Sequence, residues 1–283
     1  MRVESWRFKL LAFYGLRCRH PGQWRVHGAL RRWLGAGVDQ ELSVERGGLK
    51  WVLNPADFVQ AEFFWLGLRD RWDLYHVQRL LKPGAVVFDV GANFGHLSLS
   101  VAAALAGNCT VHAFEPYPPN LARLRRHVTL NHLDSTIVVN PVGLSDAEGV
   151  GQMTCRPGNS GSATLAATGT GEATTVQLTT LDAFCARQRV RRLDFIKVDV
   201  EGYEERLIRG GWETLRRFAP VVMIELERER LAMAGSSVGQ VARLLRELDY
   251  ELFEARRKRL EPLPVSSYRD GLVNAICLHR QQP

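Results

Sequence analysis

The chain has 283 residues, 46% hydrophobic and 24% charged, a balance ordinary for one globular α/β unit with an appendage. Its formal net charge is +7, and an equal excess sits in the first 35 residues, where Arg2, Arg7, Lys9, Arg17, Arg19, Arg25, Arg31 and Arg32 face Glu4 alone. Five scattered cysteines with no Cys-x-x-Cys pair fit neither a disulfide framework nor a zinc site and suit a reducing, cytoplasmic compartment, and the equally dispersed histidines suggest no metal constellation.

In the basic segment, aromatic and aliphatic residues such as Trp6, Leu10, Phe13, Trp24 and Trp33 alternate with the arginines. The apolar run Leu10–Leu16 is too short for a membrane span, and it meets Arg17-Cys18-Arg19 with no small-residue cleavage site, so a secretory signal is not expected. Two readings remain. One is a helical cap with solvated arginines; the other is a basic amphipathic element on an anionic membrane, at the inner membrane face or near a lipid-linked substrate. No nucleic-acid motif accompanies the charge, so nucleic acid is not an expected partner.

Leu42–Leu53 predicts a hairpin turning at Gly47-Gly48, and Asp57–Leu81 predicts a largely helical stretch ending before Pro83-Gly84. Ala85–Asp89 is a strand, followed by the turn Val90-Gly91-Ala92-Asn93-Phe94-Gly95 and a helix over His96–Ala106. At the carboxyl edge of a parallel sheet such a turn meets ligands. Gly91 and Gly95 let backbone approach the ligand or turn tightly, and the Asp89 carboxylate can accept from an amine or hydroxyl. A nucleoside-containing cofactor suits the turn. The spacing Asp89-x-Gly91-x-x-x-Gly95 differs from the Gly-x-Gly-x-x-Gly of dinucleotide enzymes, which disfavours a nicotinamide oxidoreductase.

Next come strand Thr110–Glu115, a helix over Pro119–Asn131 and strand Thr136–Asn140. Residues 155–175 are rich in Gly, Ser, Thr and Ala and read either as a flexible surface hairpin or as an active-site loop, with Ala166–Glu172 as a turn. Helices are expected over Thr179–Arg187, Tyr203–Arg209 and Ser237–Leu248. Strands are expected at Leu193–Asp199 and Pro220–Glu225, and at Glu251–Ala255 and Asn274–His279. Four strands ending in Asp89, Glu115, Asp199 and Glu225 should rim one cleft. Lys197, inside an apolar strand, should bury its stem and pair its amine.

Asp89–Gly95, Asn159–Ser162 and, most diagnostically, Ile196-Lys197-Val198-Asp199-Val200-Glu201-Gly202-Tyr203-Glu204 together resemble the FkbM-type, S-adenosylmethionine-dependent class I methyltransferases. The likeness runs from about Leu49 to about Leu226 and departs at Arg69–Asp73, where that family commonly carries a Gly-x-Tyr-Glu-like element. It implies a Rossmann-like fold, a mostly parallel seven-stranded sheet flanked by helices in residues 51–283, with residues 1–50 as a helical and hairpin extension. It also implies cofactor contacts from Asp89, Gly91, Ala92, Asn93, Phe94, Gly95, Glu115, Pro116, Val142 and Asp199. The adenine would lie near Val142.

The activity so implied is O-methylation of a sugar or glycoconjugate hydroxyl, a small-molecule or glycan acceptor. Such an acceptor must be aligned and must lose a proton. Asp199 is the candidate at the cofactor–acceptor junction, and Glu201 is the candidate base or acceptor-orienting group. Spaced two apart on an extended strand end, the two would face the same way. Helix capping is the structural alternative for Glu201, and His96 is a second candidate base. Two other classes stay open: a nucleotide-sugar glycosyltransferase with Asp199 and Glu201 as a metal clamp, and a non-catalytic cofactor-binding module.

Overall fold

A computed structural model describes residues 6–281 apart from 19, 21, 34–38, 68–70, 167–171, 257 and 266–270. The chain opens with α1 (Trp6–Arg17), α2 (Gln23–Trp33), the hairpin β1 (Leu42–Arg46) and β2 (Leu49–Leu53), then α3 (Phe58–Leu66) and α4 (Arg71–Leu80). The α/β core follows as β3 (Ala85–Val90), α5 (His96–Ala104), β4 (Cys109–Phe114), α6 (Pro118–Leu130) and β5 (Ile137–Asn140). Three short strands come next, β6 (Gly143–Ser145), β7 (Gly149–Met153) and β8 (Thr174–Thr180), and then α7 (Leu181–Arg187) and β9 (Phe195–Val198). The remainder is α8 (Glu204–Gly210), α9 (Trp212–Phe218), β10 (Val221–Glu227), α10 (Arg228–Met233), α11 (Val238–Glu247), β11 (Tyr250–Arg256), β12 (Arg259–Pro262) and β13 (Leu272–His279).

The large sheet has eight strands in the order β12-β11-β13-β10-β9-β3-β4-β5. From β10 to β5 every pairing is parallel, while β13, β11 and β12 join antiparallel. The seven expected strands are all present, and β12 adds an eighth at the edge. Parallel strands covered on both faces must be apolar on both. Accordingly Val87, Phe195 and Met223 pack toward α3–α6, while Phe88, Ile196, Val198 and Ile224 pack toward α7–α11. Alternation along the strands then puts Asp89 and Lys197 on the α5 side, directly opposite each other in register.

A separate three-stranded sheet, β6-β8-β7, projects between β5 and α7. It was not expected, because Thr174–Thr180 carries no apolar periodicity beyond Val176 and Leu178. Thr179–Arg187 accordingly divides into the end of β8 and α7, which Thr180 caps by accepting from Ala183 N. The boundary expected between residues 50 and 51 falls inside β2. That hairpin belongs to the core: Trp51 is buried against Phe63 and Phe94. Phe8 and Leu11 of α1 join the same cluster. Among the described residues no helix is long and apolar enough to cross a membrane, and the five cysteines are free.

Candidate active site

The carboxyl ends of β3, β4, β9 and β10 open on a cavity of about 330 Å³. Gly91, Ala92, Asn93, Phe94, Glu115, Pro116, Val142, Asp199 and Glu201 all line it, with Glu225 and Tyr203 beside them. Asp89 and Gly95 do not. Asp89 is fully buried beneath the turn, where Oδ2 accepts from Ser98 N at 3.0 Å and from Ser98 Oγ at 2.5 Å. It ties the start of α5 to β3 and carries its proton more readily than an exposed aspartate, burial being the cause. Gly95 caps α5 against Leu124 and Leu99. Of the expected contact residues, these two shape the turn from behind the cavity.

The turn is held from two further sides. Glu115 accepts from Asn93 N at 2.8 Å through Oε2 and from Tyr117 N at 2.9 Å through Oε1. Burial raises its pKa to about 7, and the charges of Asp89 and Asp199 add to the rise that the two N–H groups oppose. His127, buried in α6, bridges the turn to the hairpin. Its Nε2 accepts from Val52 N at 3.0 Å, which leaves Nδ1–H to donate to Phe94 O at 2.8 Å. Burial lowers its pKa, in keeping with that neutral tautomer. No sequence signal singles out His127; one histidine on an apolar helix face looks like core.

Asp199 and Glu201 reach the cavity by a route other than the one expected. β9 ends at Val198, and residues 199–202 form a turn in which Glu201 adopts φ 53°, a left-handed conformation that costs a non-glycine residue about 1–2 kcal/mol. The extended spacing is therefore absent. The turn is held by Glu204, whose Oε1 accepts from Val200 N at 3.2 Å and Gly202 N at 3.1 Å, and by Thr164, whose hydroxyl donates to Glu201 O at 2.8 Å. Glu201 makes no helix cap: the N-cap of α8 is Tyr203, without a side-chain cap bond, and the acceptor that ties down the turn is Glu204. Replacing Glu204 by Ala strands two N–H groups in the interior and should cost about 2–4 kcal/mol in a denaturant melt. Glu204→Gln, which keeps the acceptor oxygen, should lose less than half of that; an Ala variant as stable as the parent would remove Glu204 from this role.

Lys197 Nζ meets Asp199 Oδ2 at 2.8 Å, paired as expected. Burial alone would lower its pKa, but Asp199 and Asp89 together hold it above its ordinary value. Arg230 Nε lies 3.0 Å from Glu201 Oε2. Burial, then the Asp199 charge, raises Glu201 to about 8 against the pull of Arg230. Glu225, hydrogen-bonded to Asp199, is pushed well up by burial and by that same charge. Asp199, Glu201 and Glu225 each bring an oxygen within 4.8 Å of the others. Lys197 pairs with Asp199, Arg230 lies between Glu201 and Glu227, and Glu225 bonds to Asp199, so each of the three carboxyl groups has a partner within the protein.

The loop after β7 closes one wall. Asp57, at the start of α3, accepts from Ser160 N at 2.7 Å and Ser160 Oγ at 2.9 Å, and Asn120 Nδ2 donates to Ser160 O at 2.9 Å. Asn159, Ser160 and Gly161 thereby line the cavity. Residues 167–171 of the expected turn lie outside the described residues. Asp73 and Asn274, bonded at 2.8 Å, complete the wall; Arg69 and Asp70 of the divergent segment also lie outside the described residues. His96 lines the cavity against Phe63, ring centroids 4.7 Å apart. Among the described residues, Asn93, Asn120 and Asn159 each line the cavity and keep a buried Oδ1 with no hydrogen-bond partner. Buried acceptors of this kind call for donors from a bound molecule.

Residues 89–252 match the Methyltransferase FkbM domain family. Over 104 residues the chain is 39% identical to the 31-O-demethyl-FK506 methyltransferase FkbM of Streptomyces tacrolimicus, covering 37% of each protein. Over 108 residues it is 38% identical to the AMB antimetabolite synthetase AmbE of Pseudomonas aeruginosa, 38% of this chain but 5% of that one. The chain thus spans well under two thirds of both relatives. The crystal structure of Methyltransferase FkbM from Methylobacillus flagellatus KT shares the fold, with a TM-score of 0.50 at 16% identity over 96% of this chain and 58% of that one. The family match takes in the glycine turn, the Asp199–Glu204 string and the strands that carry them: the chain belongs to the FkbM methyltransferase family.

Proposed function

We propose that this protein methylates an oxygen of a sugar or glycoconjugate hydroxyl, with S-adenosylmethionine as the methyl donor. The observation that carries the reading is one cavity wall that joins the Glu115-anchored glycine turn to an ionisable Glu201. The donor set fits such a cofactor: Glu115 keeps lone pairs free for ribose hydroxyls, and Asn93, Asn120 and Asn159 present unmatched acceptors for its amine and amino-adenine donors. When bound, S-adenosylmethionine supplies an electrophilic methyl group on a sulfonium.

The chain's own residues do the rest. Glu201 takes the hydroxyl proton, and Asp199, fixed by Lys197, orients the acceptor oxygen. Asp73, Asn274, Glu227 and Arg230 offer the mixed donors and acceptors that a hydroxyl-rich acceptor needs. The name of the Streptomyces relative describes methylation at an oxygen, which supports oxygen as the acceptor atom.

Titration calorimetry tests the cofactor. S-adenosylmethionine and S-adenosylhomocysteine should bind, while NAD and a UDP-sugar with manganese should not. Glu115→Ala should weaken both adenosyl ligands about 100-fold, the worth of hydrogen bonds to a charged group. A UDP-sugar signal without adenosyl binding would overturn the reading. With the cofactor established, mass spectrometry of a glycan panel should show acceptors gaining one methyl.

A further inference from the structure

Helix α1 is apolar on two opposite sides. Phe8, Leu11 and Gly15 pack inward, Phe8 against Phe64 and Trp65 with ring centroids 5.9 Å and 4.9 Å apart. The packing is close: a Cβ on Gly15 would lie 2.2 Å from the Trp65 carbonyl oxygen. The helix therefore cannot roll to hide its other side. There Trp6, Leu10 and Phe13, spaced by four and three residues, form one stripe and are 65%, 51% and 62% exposed. On α2, Val26 and Trp33 repeat the pattern seven residues apart, Trp33 being 81% exposed. Ten large hydrophobics are exposed among the described residues, and five of them lie on these two helices. That is a patch, not the ordinary scatter of single apolar residues.

The charge carried by these two helices has one sign. Residues 5–38 contain no Asp or Glu, and Lys9, Arg17, Arg25 and Arg32 are exposed beside the apolar side chains. Arg7 lies over the Trp6 ring, 5.6 Å from its centroid. Aromatic and aliphatic residues projecting from a cationic helix surface suit the boundary between acyl chains and anionic headgroups. A protein partner matched to this charge would have to be acidic and apolar at once, and a second copy would bring like charges together.

We propose that α1 and α2 form a peripheral docking surface for an anionic lipid bilayer. Trp6, Leu10, Phe13 and Trp33 enter the interface, and the flanking Lys and Arg residues hold the headgroups. The pair is built onto the lip of the cavity: Trp24 of α2 packs edge-on against Phe58 of the cavity wall, centroids 6.0 Å apart. Docking would bring that lip close to the lipid surface. This proposal is independent of the methyl-transfer reading.

Vesicle co-sedimentation of the full chain tests it. The protein should pellet with phosphatidylcholine vesicles containing about 30 mol% phosphatidylserine, should stay in solution with phosphatidylcholine alone, and should release as salt rises. The outward triple variant Trp6→Ser, Leu10→Ser, Phe13→Ser and the charge variant Lys9→Glu, Arg17→Glu, Arg25→Glu should each bind about ten-fold more weakly or worse, with unchanged circular dichroism and melting temperature. Absence of pelleting with the anionic vesicles, or equal pelleting of the triple variant, would overturn the proposal. A dimer in analytical ultracentrifugation that the triple variant dissolves would overturn it in favour of self-association.

Discussion

Glu201→Gln should bind S-adenosylhomocysteine as the parent does and lose about 10²–10⁴-fold in kcat, the usual contribution of a positioned general base. The substitution is nearly isosteric, and it leaves the left-handed backbone at φ 53° as strained as before, so it isolates the charge. Only the ionised carboxylate can take a proton. With the pKa raised to about 8, by burial first and Asp199 second, kcat/KM of the parent should rise with pH through about 8 and level off above it. The variant should lack that limb. Stability moves the other way. The folded chain holds this proton more tightly than the unfolded chain, so the contribution of Glu201 is whole below its ordinary value near 4.5 and is lost as pH rises to about 8. A melt of Glu201→Gln should be flatter over that window. A Gln variant with parental kcat and the same pH limb would move the base elsewhere, with His96 next to test.

The sheet was legible because parallel strands buried on both faces must be written as apolar runs, and Val86-Val87-Phe88 and Phe195-Ile196 are such runs. The acids that follow marked the edge where ligands bind, and Glu115, Asp199 and Glu225 do line one cavity there. Depth behind that edge was not legible. Asp89 looks like its neighbours in sequence, yet it lies one residue inside β3 and pairs with Ser98, nine positions away, which no periodicity announces. Glu201 and Glu204 could not be assigned their roles from spacing, since the choice depends on where β9 stops and the 199–202 turn begins. The Thr-rich β8 was obscured because its strand character comes from pairing with β6 and β7 and hardly from its own side chains. The amphipathic N-terminus was legible as a composition. That α1 has two apolar sides, one packed and one open, needed the contact with Trp65.

Gly91→Ala should be the most damaging Gly→Ala change among the described residues. The glycine turn reads as room for a ligand, but what approaches Gly91 is protein: a Cβ there would lie 1.7 Å from the carbonyl oxygen of Asp199. The residue also sits at φ 80°, where a side chain is strained whatever the space. Gly84 separates the two effects, since its φ of 81° is nearly the same and nothing lies within 4 Å of its would-be Cβ. Gly84→Ala should therefore cost only the backbone term, about 1–2 kcal/mol. Gly91→Ala adds an overlap that rigid, hydrogen-bonded strand ends cannot absorb, about 1–3 kcal/mol more and read as a lower denaturant midpoint. The Asp199 N–H bond to Val90 O at 3.0 Å spans the same gap, so widening it should also displace Asp199 from Lys197 and weaken adenosyl-ligand binding in the fraction that folds. Gly84→Ala should bind those ligands normally. Equal losses of stability in the two variants would mean that the end of β9 yields freely, and Gly91 would then be a turn residue with no part in spacing β3 from Asp199.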